Sequence, residues 1–460
     1  MTTAPDFARQ IGDLQVALNI VWTLLCGFLV MFMQAGFALV EGGLTRAKSI
    51  AHTIGMNFLV YAIGIVGFWA VGFGLQMGGV GPIGTFGGDA TLNGEFVIAI
   101  GGKEFGLFGT KGFFLTPEVY TPAVAAMFLF QMVFMDTAAT IPTGALAERW
   151  RFLSFCIFSL AMATVIYPVY ANWVWGGGWL SALGKNFGLG HGHVDFAGSS
   201  VVHMTGGVAA LVGAKMLGPR IGKFGPNGEV NAIPGHNIAL AALGTFILAF
   251  GWFGFNAGST LAGTDTRIAV IAVNTMLASA AGAFSAYLYL KTRFGAPDLG
   301  MMCNGMLAGM VSITAPCAFV TAPVAMLIGT VSGVLVVLSA SFVENKLKVD
   351  DPASAVSVHA TNGAWGILAL GLFADGRYGE GWNGVPGPVR GLFYGDASQL
   401  LASVIGIVVC VLWTSGVTFV AFRLTDKFIG NRVADHDEAI GLDVPELAVQ
   451  GYASDVPTPE

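Results

Sequence analysis

Apolar residues in this chain come in long unbroken runs, not in the short alternations of half-buried strands or the spaced stripes of surface helices. A bilayer core about 30 Å thick needs roughly 20 mostly apolar residues per helix. Eleven such runs lie near 16–40, 53–77, 121–142, 152–172, 197–217, 235–257, 267–290, 301–320, 321–343, 353–374 and 400–424. A closed membrane barrel would instead show alternating segments of about 10 residues. The pattern therefore predicts an all-α polytopic membrane protein of about eleven transmembrane helices. It divides the chain into a short external N-terminus (1–15), a membrane domain (16–424) and a C-terminal tail (425–460).

Composition agrees with the pattern. Of 460 residues 55% are hydrophobic and only 10% charged, where soluble domains carry roughly 25% charge. The 66 glycines read as helix-packing surfaces, since small residues let backbones approach closely. The opening "MTTAPDFARQIGDLQ" has no basic n-region, so no cleavable signal is expected and the mature chain is expected to start at or near Met1. Cys26, Cys156, Cys303, Cys317 and Cys410 are scattered without CxxC spacing, which argues for core packing against disulfides or a thiolate metal site. No metal or other cofactor and no nucleic-acid partner is expected.

Charge changes the picture through its placement. If the spans alternate, fourteen of the 21 basic residues, among them Arg46, Lys48, Arg149, Arg151, Lys215, Arg220 and Lys223, fall on one side. The other seven include Lys103, Lys111 and Lys185, in long loops that the positive-inside rule discounts. The N-terminus is expected outside and the C-terminus inside, in a multi-pass protein of the cell membrane, plasma or bacterial inner.

An internal repeat carries the candidate chemistry. "DFAGSSVVHMTGG" (195–207) matches "DPASAVSVHATNG" (351–363), with Asp, Ala, Val, His, Thr and Gly at the same offsets. One copy opens a span from outside and the other from inside, as an inverted repeat of five plus five spans with one final helix requires. Asp351 followed by Pro352 reads as a helix start, the acid capping free N–H groups and the proline taking the first helical position; Asp195 is expected to do the same. Eight residues at about 1.5 Å each put His203 and His359 roughly 12 Å down their helices, at similar depth near the midplane. A lone histidine in an apolar helix is most simply a satisfied core group. Two at matched depth in a repeat instead mark a pathway.

"GWFGFNAGS" (251–259) sets Phe255 and Ser259 one turn apart on one side of the sixth span, and "WVWGGGW" (173–179) lies in the outer loop before the repeat. Trp175 and the Ser259 hydroxyl at one outer mouth would suit a small cation held by cation–π attraction and hydrogen bonds, although aromatics at that depth also serve as interface anchors. Phe130 and Phe134 share a helix face in "FLFQMVF" (128–134), which alone is core packing.

These segments, with "VWGGG", "FQMVF…TGALAER" and "VDDPASAVSVH", resemble the signature stretches of the ammonium transporter (Amt/Mep/Rh) family, Amt type, in order from about residue 15 to 430. The resemblance implies an ammonium site at Trp175 and Ser259 with Phe130 beside it, and a stacked gate of Phe134 and Phe255. It further implies twin pore histidines His203 and His359, Asp195 as a buried acid supporting the site, and Trp252 and Thr314 lining the pore. A homotrimer with one pore per subunit and an inner surface that a PII-type signal protein can plug are implied as well. Two positions depart from the family pattern. Asp136 in "FMDTAAT" stands where small or apolar residues are commoner, and the tail "GLDVPELAVQGYA" (441–453) has Leu447 to Gln450 where a His-Gly-Glu run is frequent.

The expected mechanism follows from charge. A bare monovalent ion at the membrane centre costs at least ~2.5–3.5 kcal/mol, so ammonium is expected to bind at Trp175 and Ser259, lose its proton near the gate and cross as ammonia past the histidines. Methylammonium is the natural analogue. An Rh-type passive gas channel, for which the Trp175/Ser259 pair has no use, and an ammonium sensor acting through a partner are the alternatives. An enzyme is not expected, because no GxSxG or HExxH accompanies the histidines.

Overall fold

The computed structural model describes residues 4–452. Ten helices among them are long and apolar enough to cross a membrane, and an eleventh apolar helix is shorter. In chain order these are α1 (Asp6–Leu44), α2 (Ala47–Met77), α3 (Pro122–Leu146), α4 (Phe152–Trp175), α5 (Ser199–Leu217), α6 (Ile238–Ala257), α7 (Arg267–Phe294), the shorter α8 (Leu299–Thr314), α9 (Ala322–Asn345), α10 (Val356–Phe373) and α11 (Ala397–Phe428). The eighth apolar run extends to residue 320, but its helix ends at Thr314 and residues 315–320 close it as turns. Polar side chains fix the starts: Thr121, Asn237, Asp298 and Asp396 each accept a backbone N–H in the first turn of α3, α6, α8 and α11.

Burial sorts the helices. In α3 and α5, 78% of the apolar window is buried, against 28% in α11 and 33% in α1, so α3 and α5 form the interior while α1 and α11 show apolar flanks to lipid. Phe58, Phe246 and Leu412 are among the large apolar side chains on that outer surface. The all-helical membrane fold holds, and the loop between α2 and α3 adds a short antiparallel hairpin, β1 (Glu95–Ile100) and β2 (Lys103–Gly109). It marks one end of the bundle, the hairpin end. The C-terminal tail, with short helices Asp435–Ile440 and Asp443–Leu447, marks the other.

The repeat is visible as reciprocal contacts. α5 and α10 run in opposite directions, one starting at the hairpin end and the other at the tail end. Gly207 and Gly363 hold equivalent positions in the two copies. A Cβ on Gly207 would lie 2.3 Å from the backbone nitrogen of Ala360, which follows His359. One on Gly363 would lie 2.4 Å from the Ser199 carbonyl oxygen and 2.8 Å from Cγ of Met204, which follows His203. Only glycine permits this approach, and the approach brings the two histidines together.

Both helices start later than expected. Asp195 and Asp351 do cap, but the helices begin at Ser199 and Val356 as π turns, and Pro352 lies in a turn before the helix instead of at its first position. His203 is thus five residues into α5 and not eight.

Candidate functional site

At the hairpin end a cavity of about 180 Å³ is lined by Phe130, Phe134, Trp175 and Ser259, together with Gln131 and Trp382. Its walls are mostly apolar, with few polar atoms turned inward. The Ser259 hydroxyl donates to the Phe255 carbonyl one turn back at 2.8 Å, which leaves its oxygen free to accept a hydrogen bond from a guest. Trp175 is oriented by its indole N–H, which donates to the Asp195 carbonyl at 2.7 Å, and its ring meets Phe134 edge-on at 6.0 Å.

Phe134 closes the floor of this cavity by stacking on Phe255, with ring centroids 4.1 Å apart and planes 22° from parallel. Phe130 packs on Phe134 at 4.7 Å, so the pair that looked like core packing forms one wall. Behind Phe255 lies His203, centroid to centroid 5.4 Å, flanked by Trp252 at 5.3 Å. The Trp252 indole N–H donates to the Thr314 hydroxyl at 3.1 Å. His203 and His359 meet Nδ1 to Nδ1 at 3.2 Å, and His203 Nε2 has no partner among the described residues. One proton serves the shared Nδ1 contact, so in a neutral pair one ring carries its proton on Nε2 and the other has Nε2 bare. His203, Phe255 and His359 all sit on π turns, where the changed repeat re-aims a side chain.

Asp195 is almost fully buried. Its Oδ1 accepts from the N–H groups of Gly198 and Ser199 at 2.9 Å each, and its Oδ2 from the Ser200 N–H and hydroxyl at 2.7 Å and the Val201 N–H at 2.9 Å. Five donors hold the carboxylate at the start of α5. One residue thereby positions both Trp175, through its carbonyl, and the helix that carries His203.

The aromatic cavity, stacked phenylalanines and paired imidazoles form one line through the bundle, and the sequence around them matches the model of the Ammonium Transporter Family over residues 21–452. The chain belongs to the ammonium transporter family. It is 44% identical over 446 residues to ammonium transporter Amt2 of Archaeoglobus fulgidus, covering 96% of this chain and 90% of that one. To ammonium transporter Amt1 of Haloferax mediterranei it is 37% identical, covering 94% and 79%. Among solved structures it resembles a sensor Amt protein at 33% identity with a TM-score of 0.82, covering 95% of this chain and 100% of that chain. It also resembles Mep2 of Saccharomyces cerevisiae at 25% identity with a TM-score of 0.76, covering 91% and 88%.

At the tail end this transporter surrounds the start of α10 with charge. Arg220 grips Asp350 with two hydrogen bonds from its guanidinium, 2.8 and 2.9 Å, and one from its backbone N–H at 2.9 Å, and reaches Glu148 at 2.6 Å; Arg46 pairs with Glu148 as well. Burial alone would raise the Asp350 carboxyl, but the hydrogen bonds from Arg220 and the Arg149 and Arg220 charges outweigh it and hold it at about 2. Asp351 accepts from the Ala355 and Val356 N–H groups at 3.0 and 2.8 Å. A polar cavity of about 470 Å³ opens beside this turn, lined by Asp351, Ser354, Ser357, Lys223 and Glu344. The tail docks nearby: Asp443 accepts the His52 N–H at 2.9 Å and Glu446 the Phe152 N–H at 2.8 Å, capping the starts of α2 and α4. The departure at Leu447 to Gln450 leaves these docking acids in place; Ala453 of the tail motif lies outside the described residues.

Asp136 is buried in α3, with Oδ1 unpartnered among the described residues, and it does not line the hairpin-end cavity. Sequence reasoning missed Trp382 and Gln131 in that cavity. Gln131 stands inside the quoted "FQMVF", whereas Trp382 comes from an irregular loop with no pattern of its own.

Proposed function

We propose that this ammonium transporter binds ammonium in the hairpin-end cavity, and that at the phenylalanine gate an N–H bond breaks and the proton goes to the imidazole pair behind Phe255. Ammonia then passes the imidazole pair toward the tail end. The observation that carries the reading is the Phe134–Phe255 stack, which lies between a cavity offering an indole face and a free hydroxyl acceptor and a buried pair of touching imidazoles. An indole face attracts a cation by about 0.5–2 kcal/mol, and the Ser259 oxygen accepts an N–H that potassium lacks. Beyond the gate the lining is too apolar to hold a bare ion, which costs at least ~2.5–3.5 kcal/mol there. Ammonium can shed its charge as a proton and potassium cannot. Asp195 acts by position, setting Trp175 and the His203 helix.

On this reading the hairpin end faces outside and the tail end, rich in Arg46, Arg149, Arg151 and Arg220, faces inside. Residues 16–424 form the transport domain, preceded by the external 1–15 and followed by the inner tail 425–460. The protein is a homotrimer with one pore per subunit, and its inner face accepts a PII-type signal protein. The likeness to a sensor Amt protein at 33% identity favours a second reading, in which the same site reports ammonium to a partner.

Uptake of labelled methylammonium into sealed vesicles tests the proposal. Saturable uptake that ammonium suppresses and potassium does not is the expected result; uptake no faster than in empty vesicles overturns it.

A further inference from the structure

We propose that Glu41 is the proton-carrying group at the inner end of the pore, an inference that rests on the reading above. On α1, Phe37 faces the His359 ring, with centroids 6.3 Å apart. Glu41 follows one turn nearer the tail end on the same helix face. It is a buried carboxyl in the last turn of an apolar helix, only 3% exposed. Its Oε2 accepts from Asn57 Nδ2 and from the Thr143 hydroxyl, each at 2.7 Å. Oε1 lies beside Gly144: a Cβ built there would lie 3.0 Å from Glu41 Oε1 and 2.9 Å from the Ala353 Cβ. The carboxyl therefore lies near the turn that opens α10, across Gly144 from Ala353.

Asp351, the charged group that acts on Glu41 from that turn, has both oxygens committed to the Ala355 and Val356 N–H groups. Glu41 takes its two side-chain donors on Oε2 and a backbone hydrogen bond from Gly144 as well. A carboxyl is, with imidazole, the side chain that most readily takes and gives a proton in such a place. The step balances without another reactant. Ammonia leaving His359 takes the proton of the Glu41 carboxylic acid; the O–H bond breaks, an N–H bond forms, and ammonium departs from a carboxylate. The carboxylate regains the proton that ammonium released at the outer site, handed down through the His203–His359 pair. One ammonium enters and one leaves per cycle.

Glu41→Gln tests this, because the amide oxygen still accepts from Asn57 and Thr143 while the exchangeable acid is gone. In vesicles holding the folded trimer, ammonium-driven current should fall roughly 100-fold, the scale of a lost general acid, with the half-saturating ammonium concentration unchanged. Glu41→Asp should restore most of the current. Wild-type current in Glu41→Gln, or no recovery in Glu41→Asp, overturns the proposal. If Glu41→Gln does not fold, Thr143→Val, which removes one donor to the carboxylate, should move the pH profile of the current toward higher pH; an unmoved profile overturns the proposal. Wild-type uptake without any current defeats the role of Glu41 and leaves the transporter reading standing, whereas wild-type vesicles with no uptake defeat that reading first.

Discussion

The Nδ1 atoms of His203 and His359 lie 3.2 Å apart although 156 residues separate them in the chain. Two antiparallel helices meet there, each with a glycine against the residue that follows the other's histidine. Replacing either histidine by alanine removes the Nδ1 partner of the other, which only water entering the emptied lumen can replace, and on the proposed mechanism it interrupts the proton path. His203→Ala and His359→Ala should each fold and lose most proton-coupled ammonium flux. The double variant should be little worse than either single, because groups that act as a unit are non-additive. Current recordings on the three variants check this; singles that add to the double would show two independent roles.

The glycine contacts make a stability prediction. A methyl on Gly207 or Gly363 meets backbone atoms that cannot rotate away, so Gly207→Ala and Gly363→Ala should each destabilise the protein by about 1–3 kcal/mol through overpacking. Thermal unfolding in detergent measures it. Unchanged melting temperatures in both variants would mean that α5 and α10 pack less closely than described.

Trp175 is held by its bond to the Asp195 carbonyl with its ring in the hairpin-end cavity. Trp175→Leu keeps an apolar wall and removes the π face, so ammonium affinity should weaken by about 0.5–2 kcal/mol while the assembled protein is unaffected. The concentration dependence of methylammonium uptake reads this directly, and an unchanged half-saturation point would make Trp175 an interface anchor.

Much of this was legible in the sequence. The eleven runs, the repeat and its histidines follow from hydropathy and matching offsets, because each is a property of residues close together in the chain. The π turns were not legible: "SSVVHM" and "VSVHAT" fit an α-helical period equally well, and only the packing of α5 against α10 reveals the changed hydrogen bonds. Glu41 stands in "FALVEGGL" with nothing local to say that Asn57 and Thr143 would meet it. The hairpin in the α2–α3 loop was hidden for a different reason, since β1 is almost wholly exposed and β2 mixes half-buried and buried positions, so neither strand leaves a clean alternation.

Arg220 joins Asp350 and Glu148 where almost no water reaches. Arg220→Ala would leave Asp350 buried without its ion-pair partner and Glu148 with Arg46 alone, and breaking a buried pair costs about 3–5 kcal/mol. The Asp350 carboxyl is held at about 2 against an ordinary 3.8, so its folded-state pKa is depressed. Its contribution, about 2 kcal/mol, is present above roughly pH 4 and lost as pH falls toward 2. Comparing the melting of wild type and Asp350→Asn between pH 7 and pH 3 should show a gap that narrows only below about pH 4; a gap that closes by pH 6 would contradict the assignment.

The central claim is that charge crosses this pore only as a proton separated from ammonia, and selectivity against potassium tests it most directly. In sealed vesicles holding the wild-type protein, an ammonium gradient should drive uptake, while a potassium gradient in large excess should drive none and should not compete. In His203→Ala or His359→Ala vesicles the emptied, wetter lumen should let potassium through. Potassium passing the wild-type pore as readily as ammonium would contradict the account, since an intact cation would then be crossing the histidine pair.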